Sequence, residues 1–74
     1  MKNKIKFWRL QLQAKLGRDV SQTEFAEMLG VSRGAVNRWE QGRDLPTLET
    51  MFLVWEKLKE WYPELNLQDL IDRE

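Results

Sequence analysis

The chain of 74 residues contains neither cysteine nor histidine. No disulfide can staple a domain of this size, and no thiolate or imidazole is available to hold a metal ion or to serve as a nucleophile or base. A reducing compartment fits the lack of cysteine. Long hydrophobic runs are missing as well. The longest uninterrupted apolar stretch, Met51 to Trp55, is five residues, against about 20 for a membrane-spanning helix. The N-terminal Met-Lys-Asn-Lys-Ile-Lys is basic but leads into Phe7-Trp8-Arg9, without the apolar region and small-residue cleavage site of a secretory signal. Net charge is zero, which on its face argues against a nucleic-acid partner.

The distribution of charge reverses that reading. Residues 1–43 hold nine basic and four acidic side chains, a net +5; residues 44–74 hold three basic and eight acidic, a net −5. A molecule polarised in this way can turn a basic side to phosphate and an acidic side to solvent. The plainer alternative is a basic N-terminus and an acidic C-terminus with no partner implied. An apolar fraction of 42% suffices for one small core.

Neither repeat nor low-complexity tract interrupts the chain. Turn signals divide it into five helical pieces, and no strand pattern competes. The first runs from about Asn3 to Leu16, with Ile5, Trp8, Leu12 and Leu16 at helical spacing and Gly17 as its stop. Ser21-Gln22-Thr23-Glu24 is a capping box that opens the second, in which the Ser21 hydroxyl takes the Glu24 N–H and the Glu24 carboxylate returns to Ser21. Val20 and Phe25 stand where a hydrophobic staple belongs, and Gly30 ends the helix after Leu29. The third starts at Ser32 and ends at Gly42, with Val31 and Val36 as its staple. Thr47 caps a fourth helix reaching Trp61, its inward stripe being Leu48, Met51, Phe52, Trp55 and Leu58. A short fifth helix is expected from Asn66 to Ile71, after the break at Tyr62-Pro63.

The link between the second and third pieces is about three residues long, which forces two helices into a compact crossing. Phe25, Ala26, Leu29, Val31, Val36 and Trp39 then face inward. Arg33, Gly34, Asn37, Arg38 and Gln41 occupy the outer face of the third helix, a row of groups suited to base edges in a DNA major groove.

Ser21-Gln22-Thr23-Glu24-Phe25-Ala26 through Trp39-Glu40-Gln41-Gly42, followed by Pro46-Thr47-Leu48-Glu49, resembles the Xre/Cro family of helix-turn-helix proteins, over roughly residues 5–60. The resemblance implies an all-α, compact five-helix, lambda-repressor-like domain occupying residues 1–74, with its motif core at 21–42 and a dimerisation or capping tail at 61–74. It implies binding of double-stranded operator DNA as a homodimer, regulation of transcription, and a cytoplasmic, nucleoid-associated place in a prokaryote or phage. In the family an Arg near the end of the first helix often pairs with the Glu that matches Glu40. Here Gln13 falls at that position and Arg9 lies one turn earlier, so either Arg9 takes the role or neutral hydrogen bonds hold Glu40.

Within this frame Arg33, Gly34, Asn37 and Arg38 are the candidates for base contact, and Gln22, Gln41 and Arg43 for phosphate contact. An arginine can take O6 and N7 of one guanine with two parallel hydrogen bonds, worth roughly 1–3 kcal/mol of discrimination; the plain alternative is a solvated helix-surface arginine. Asn37 suits adenine or a phosphate. Gly34 costs a helix roughly 0.5–1 kcal/mol relative to alanine, explained either by close approach of backbone to DNA or by tolerated drift. Lys2, Lys4 and Lys6 read as a solvated terminus or a DNA-binding arm. Trp55, Trp61, Tyr62, Leu65, Leu67 and Leu70 could form a self-complementary dimer patch or close the domain's own underside. Both serines are helix caps and no carboxylate has a partner base, so an enzyme is not expected, nor a cofactor, metal, membrane or small-molecule substrate. A protein-binding adaptor that keeps the fold is the competing function.

Overall fold

Hydroxyl side chains start three of the four α-helices. In the computed structural model, which describes residues 2–72, these helices are α1 (Ile5–Leu16), α2 (Gln22–Leu29), α3 (Arg33–Glu40) and α4 (Leu48–Leu58). Ser21 Oγ accepts the Glu24 N–H at 3.1 Å, Ser32 Oγ the Ala35 N–H at 3.1 Å, and Thr47 Oγ1 the Thr50 N–H at 3.2 Å. Each satisfies an amide that the first helical turn leaves without an internal acceptor. The capping box at Ser21 forms in one direction only. The Glu24 carboxylate turns to Arg18 at 2.7 Å, because a full positive charge is a stronger partner than a backbone amide.

The C-terminal ends are set by glycine. At the end of α3, Gly42 takes φ +75°, its N–H reaches Trp39 O at 3.2 Å, and the Arg43 N–H reaches Arg38 O at 3.0 Å. This is a Schellman closure, which needs a left-handed residue at that point. Gly30 does the same for α2 at φ +77°, with Val31 N–H bonding Ala26 O at 2.9 Å. The helix-turn-helix crossing is thereby fixed by backbone geometry, and the expected inward row is found there. Phe25, Ala26, Leu29, Val36 and Trp39 are buried and Val31 is half-buried.

The five-helix expectation is corrected to four. Beyond α4 the described residues make only a 3-10 helix at Leu67–Leu70, followed by a two-residue strand, β2 (Ile71–Asp72). This pairs antiparallel with β1 (Lys2–Asn3), Asn3 opposite Ile71 and Lys2 opposite Asp72. Pairs this short leave no alternating pattern to read in a sequence. The first piece accordingly starts as strand and becomes helix at Ile5. The backbone of the lysine-rich terminus is not frayed across the described residues. The Lys4 N–H bonds Leu70 O at 2.8 Å, and its Nζ lies 4.5 Å from the Phe7 ring centre.

α4 stops at Leu58 rather than Trp61 and is rotated from the expected stripe. Met51, Val54 and Leu58 are buried with Trp55 half-buried, whereas Leu48 and Phe52 face out, 69% and 43% exposed. The five consecutive apolar residues at 51–55 fit more than one face of a 3.6-residue turn, so their pattern could not choose between faces.

The rings and leucines read as either a dimer patch or the domain's own underside pack against the domain's core. Leu65 and Leu70 are buried, and Trp55, Trp61, Tyr62 and Leu67 pack half-buried on the same core. Trp55 Nε1 donates to Leu65 O at 2.8 Å, and Trp8 Nε1 to Asp69 O at 2.9 Å. A small core gains most by turning its large apolar groups inward. The Tyr62 hydroxyl is buried without a hydrogen-bond partner among the described residues, and this burial raises its pKa.

Candidate nucleic-acid interface

The outer side of α3 is built on a hydrogen-bonded network beneath it. Glu40, its side chain 3% exposed, takes Arg9 Nε on Oε2 at 2.8 Å and Arg9 Nη2 on Oε1 at 2.9 Å. Gln22 Nε2 donates to the same Oε1 at 3.0 Å, and Gln22 Oε1 accepts from Asn37 Nδ2 at 3.1 Å. Arg9 Nη1 also donates to Val20 O at 2.9 Å. Arg9 therefore takes the place of the family's usual arginine, while Gln13 Oε1 accepts the Val20 N–H at 3.0 Å. The network joins α1, the loop after it, the first residue of α2, and the second turn of α3.

Burial by itself would raise the Glu40 carboxyl. The hydrogen bonds from Arg9 and Gln22, with the charges of Arg9 and Lys6, outweigh burial and hold it below the ordinary carboxylate range. The Arg9 pKa is raised through its hydrogen bond with Glu40. Both partners are thus charged at neutral pH, and the planar two-bond match between them fixes direction as well as distance.

Of the seven residues singled out in the sequence, Arg33, Gly34, Arg38, Gln41 and Arg43 are exposed. Among the described residues Arg38 has only a long 3.7 Å approach to Asp44 to hold it. Gln22 and Asn37 are half-buried and bonded to each other. Gln22 commits both ends of its amide to the network, while its backbone N–H lies at the first helical position of α2, where helix geometry leaves it without an internal acceptor. Asn37 keeps its Oδ1 and a second N–H beyond the Gln22 bond.

Asn3 escaped notice in the sequence because it stands among lysines in a segment that reads as a solvated terminus. Its Oδ1 accepts the Ile5 N–H at 3.0 Å, and its Nδ2 donates to Trp39 O at 3.0 Å. An asparagine that bonds the amide two residues on makes an Asx turn, a local device its residue type favours. Nothing local marks its bond to residue 39. An open cavity of about 620 Å³ lies beside it, walled by Trp39 to Leu45.

The helix-turn-helix family profile matches residues 11–59. The HTH-type transcriptional activator BcrR of Enterococcus faecalis is 38% identical over 39 residues, which are 53% of this chain and 19% of that protein. The chain thus spans about a fifth of that relative's length. No solved structure matches it.

Proposed function

Because the chain belongs to the helix-turn-helix family, a family of DNA-binding regulator domains rather than of enzymes, we propose that it recognises a specific DNA sequence by laying α3 in the major groove. The observation that carries this reading is the placement of Arg33, Gly34 and Arg38 on the exposed side of a helix whose opposite side, Val36 and Trp39, is buried. Arg33 and Arg38 read guanine edges, and Asn37 offers its second N–H and Oδ1 to an adenine. Gly34 lets the backbone come close to the bases. The backbone N–H of Gln22 meets a phosphate at the start of α2, where the helix dipole favours negative charge. Gln41 and Arg43 take phosphates beyond the other end of α3.

The protein acts as a homodimer on a near-palindromic operator and is of repressor type, controlling transcription by occupying its site. Two recognition helices one DNA turn apart stand about 34 Å from each other, a span that two copies of a 30 × 27 × 22 Å domain reach side by side. Leu45, 52% exposed in the loop after α3, and Leu48, 69% exposed at the start of α4, are apolar groups open to a contact between copies.

Selection of bound duplexes from a random pool tests the reading. Recovery of a motif with two inverted half-sites about one turn apart is expected, and recovery of no preferred sequence would refute it. A reporter placed behind the recovered site distinguishes repression from activation, the role that the relative's name gives that protein.

A further inference from the structure

The last turn of α3 is held from the side of α1 by two tethers. One is the Arg9–Glu40 ion pair. The other is made by Asn3, which does three things at once. Its backbone pairs with Ile71 in the β1–β2 clasp. Its Oδ1 accepts the first amide of α1, the Ile5 N–H, at 3.0 Å, an Asx turn. Its Nδ2 spans 36 residues of sequence to the carbonyl of Trp39 at 3.0 Å. That carbonyl also accepts the Gly42 N–H at 3.2 Å, so both of its lone pairs are used.

We propose that Asn3 is a positioning residue for DNA reading: its bond to the Trp39 carbonyl sets the seat of the last turn of α3 and hence the placement of Arg38 and Arg43. The inference rests on the DNA-binding reading above. Arg38 lies in that turn, and Arg43 is joined to it through the bond from its N–H to Arg38 O at 3.0 Å. Arg33 stands one helix length away, where Ser32 caps the opposite end. A two-bond contact with a guanine tolerates displacements of only about half an ångström. Losing the tether therefore costs selectivity at the base read by Arg38 and leaves the base read by Arg33 unaffected.

The variant Asn3→Ser separates the two side-chain roles. Serine keeps an oxygen for the Ile5 N–H and adds no charge, but is too short to reach residue 39. In the full chain, amide NMR signals of Glu40 to Arg43 should shift while those of α2 stay in place. Affinity for a duplex recovered by selection should fall about 3- to 10-fold relative to a random duplex, with discrimination weakened at one base pair per half-site. Ser21→Ala, which lowers stability at the far end of the motif, should leave that ratio unchanged and so serves as the control for a merely structural effect. Unshifted signals at 40–43 would show that the tether does not exist. Shifted signals with unaltered selectivity would overturn the positioning role. A wild-type protein that binds no duplex would refute the DNA-binding reading and the positioning role with it, while the shift pattern would still decide whether the tether exists.

Discussion

A Cβ built on Gly34 would meet Arg38 Nη1 at 3.4 Å and Ser32 Oγ at 4.0 Å, and nothing else within 4 Å. The close neighbour is the far end of a flexible side chain, so alanine is accommodated by a small swing of Arg38. Gly34→Ala should therefore stabilise the protein by about 0.5–1 kcal/mol through helix propensity. It should also weaken binding to the selected duplex, since the added methyl stands between α3 and the bases. Thermal melting and a binding isotherm on the same variant check both signs, and unchanged affinity would return Gly34 to tolerated drift. Arg38 is different in kind. Exposed, and with only the 3.7 Å approach to Asp44 to hold it among the described residues, it contributes little to the fold. Arg38→Ala is expected to leave melting within about 0.5 kcal/mol of wild type and to relax preference at one base pair by about 1–3 kcal/mol, measured over single-base operator variants.

At the level of elements, caps and glycine stops were legible from the sequence because each is a local device: one side chain or one left-handed residue within four positions. Ser21, Ser32, Thr47, Gly30 and Gly42 behave as their residue types dictate. Ser21→Ala should cost about 1 kcal/mol, read from a denaturant midpoint. The Glu24 carboxylate adds little, since its partner Arg18 is exposed and the pair is screened by solvent. The face of α4 was not legible, because five apolar residues in a row carry no phase. The Arg9–Glu40 pair was legible only as one of two alternatives, because its members lie 31 residues apart. The Asn3–Trp39 bond left no signal of any kind.

The same network gives α1, α2 and α3 a shared dependence on pH. The Glu40 carboxyl sits lower in the folded protein than its unfolded value of about 4.3. It therefore contributes stability in full above that value, and the contribution is lost as pH falls through the folded pKa. Melting temperature should drop on acidification below about pH 4.3, and more steeply in wild type than in Glu40→Gln. The variant starts less stable at pH 7, because Arg9 loses its charged partner, and the two curves should approach each other in acid. Parallel curves would show that Glu40 is not held low.

Taken whole, the molecule has a radius of gyration of 11.3 Å, about the 11 Å of a single compact domain this long, and no described helix is long and apolar enough to cross a membrane. Its zero net charge is unevenly divided along the chain. Arg33, Arg38 and Arg43 are exposed on and just beyond α3, while Glu49, Glu56 and Glu60 are exposed on and after α4. The exposed arginines attract phosphate and the exposed glutamates repel it. This division was readable in the sequence as two halves of opposite sign, whereas the conversion of the aromatic tail into core depended on packing that only the folded chain displays. The most direct test is to follow the backbone amide NMR signals while a DNA duplex is added. Changes should concentrate at Gln22, Arg33 to Arg38 and Gln41 to Arg43 and leave Glu49, Phe52 and Glu56 unmoved; changes on α4 with α3 silent would contradict the assignment of the reading face.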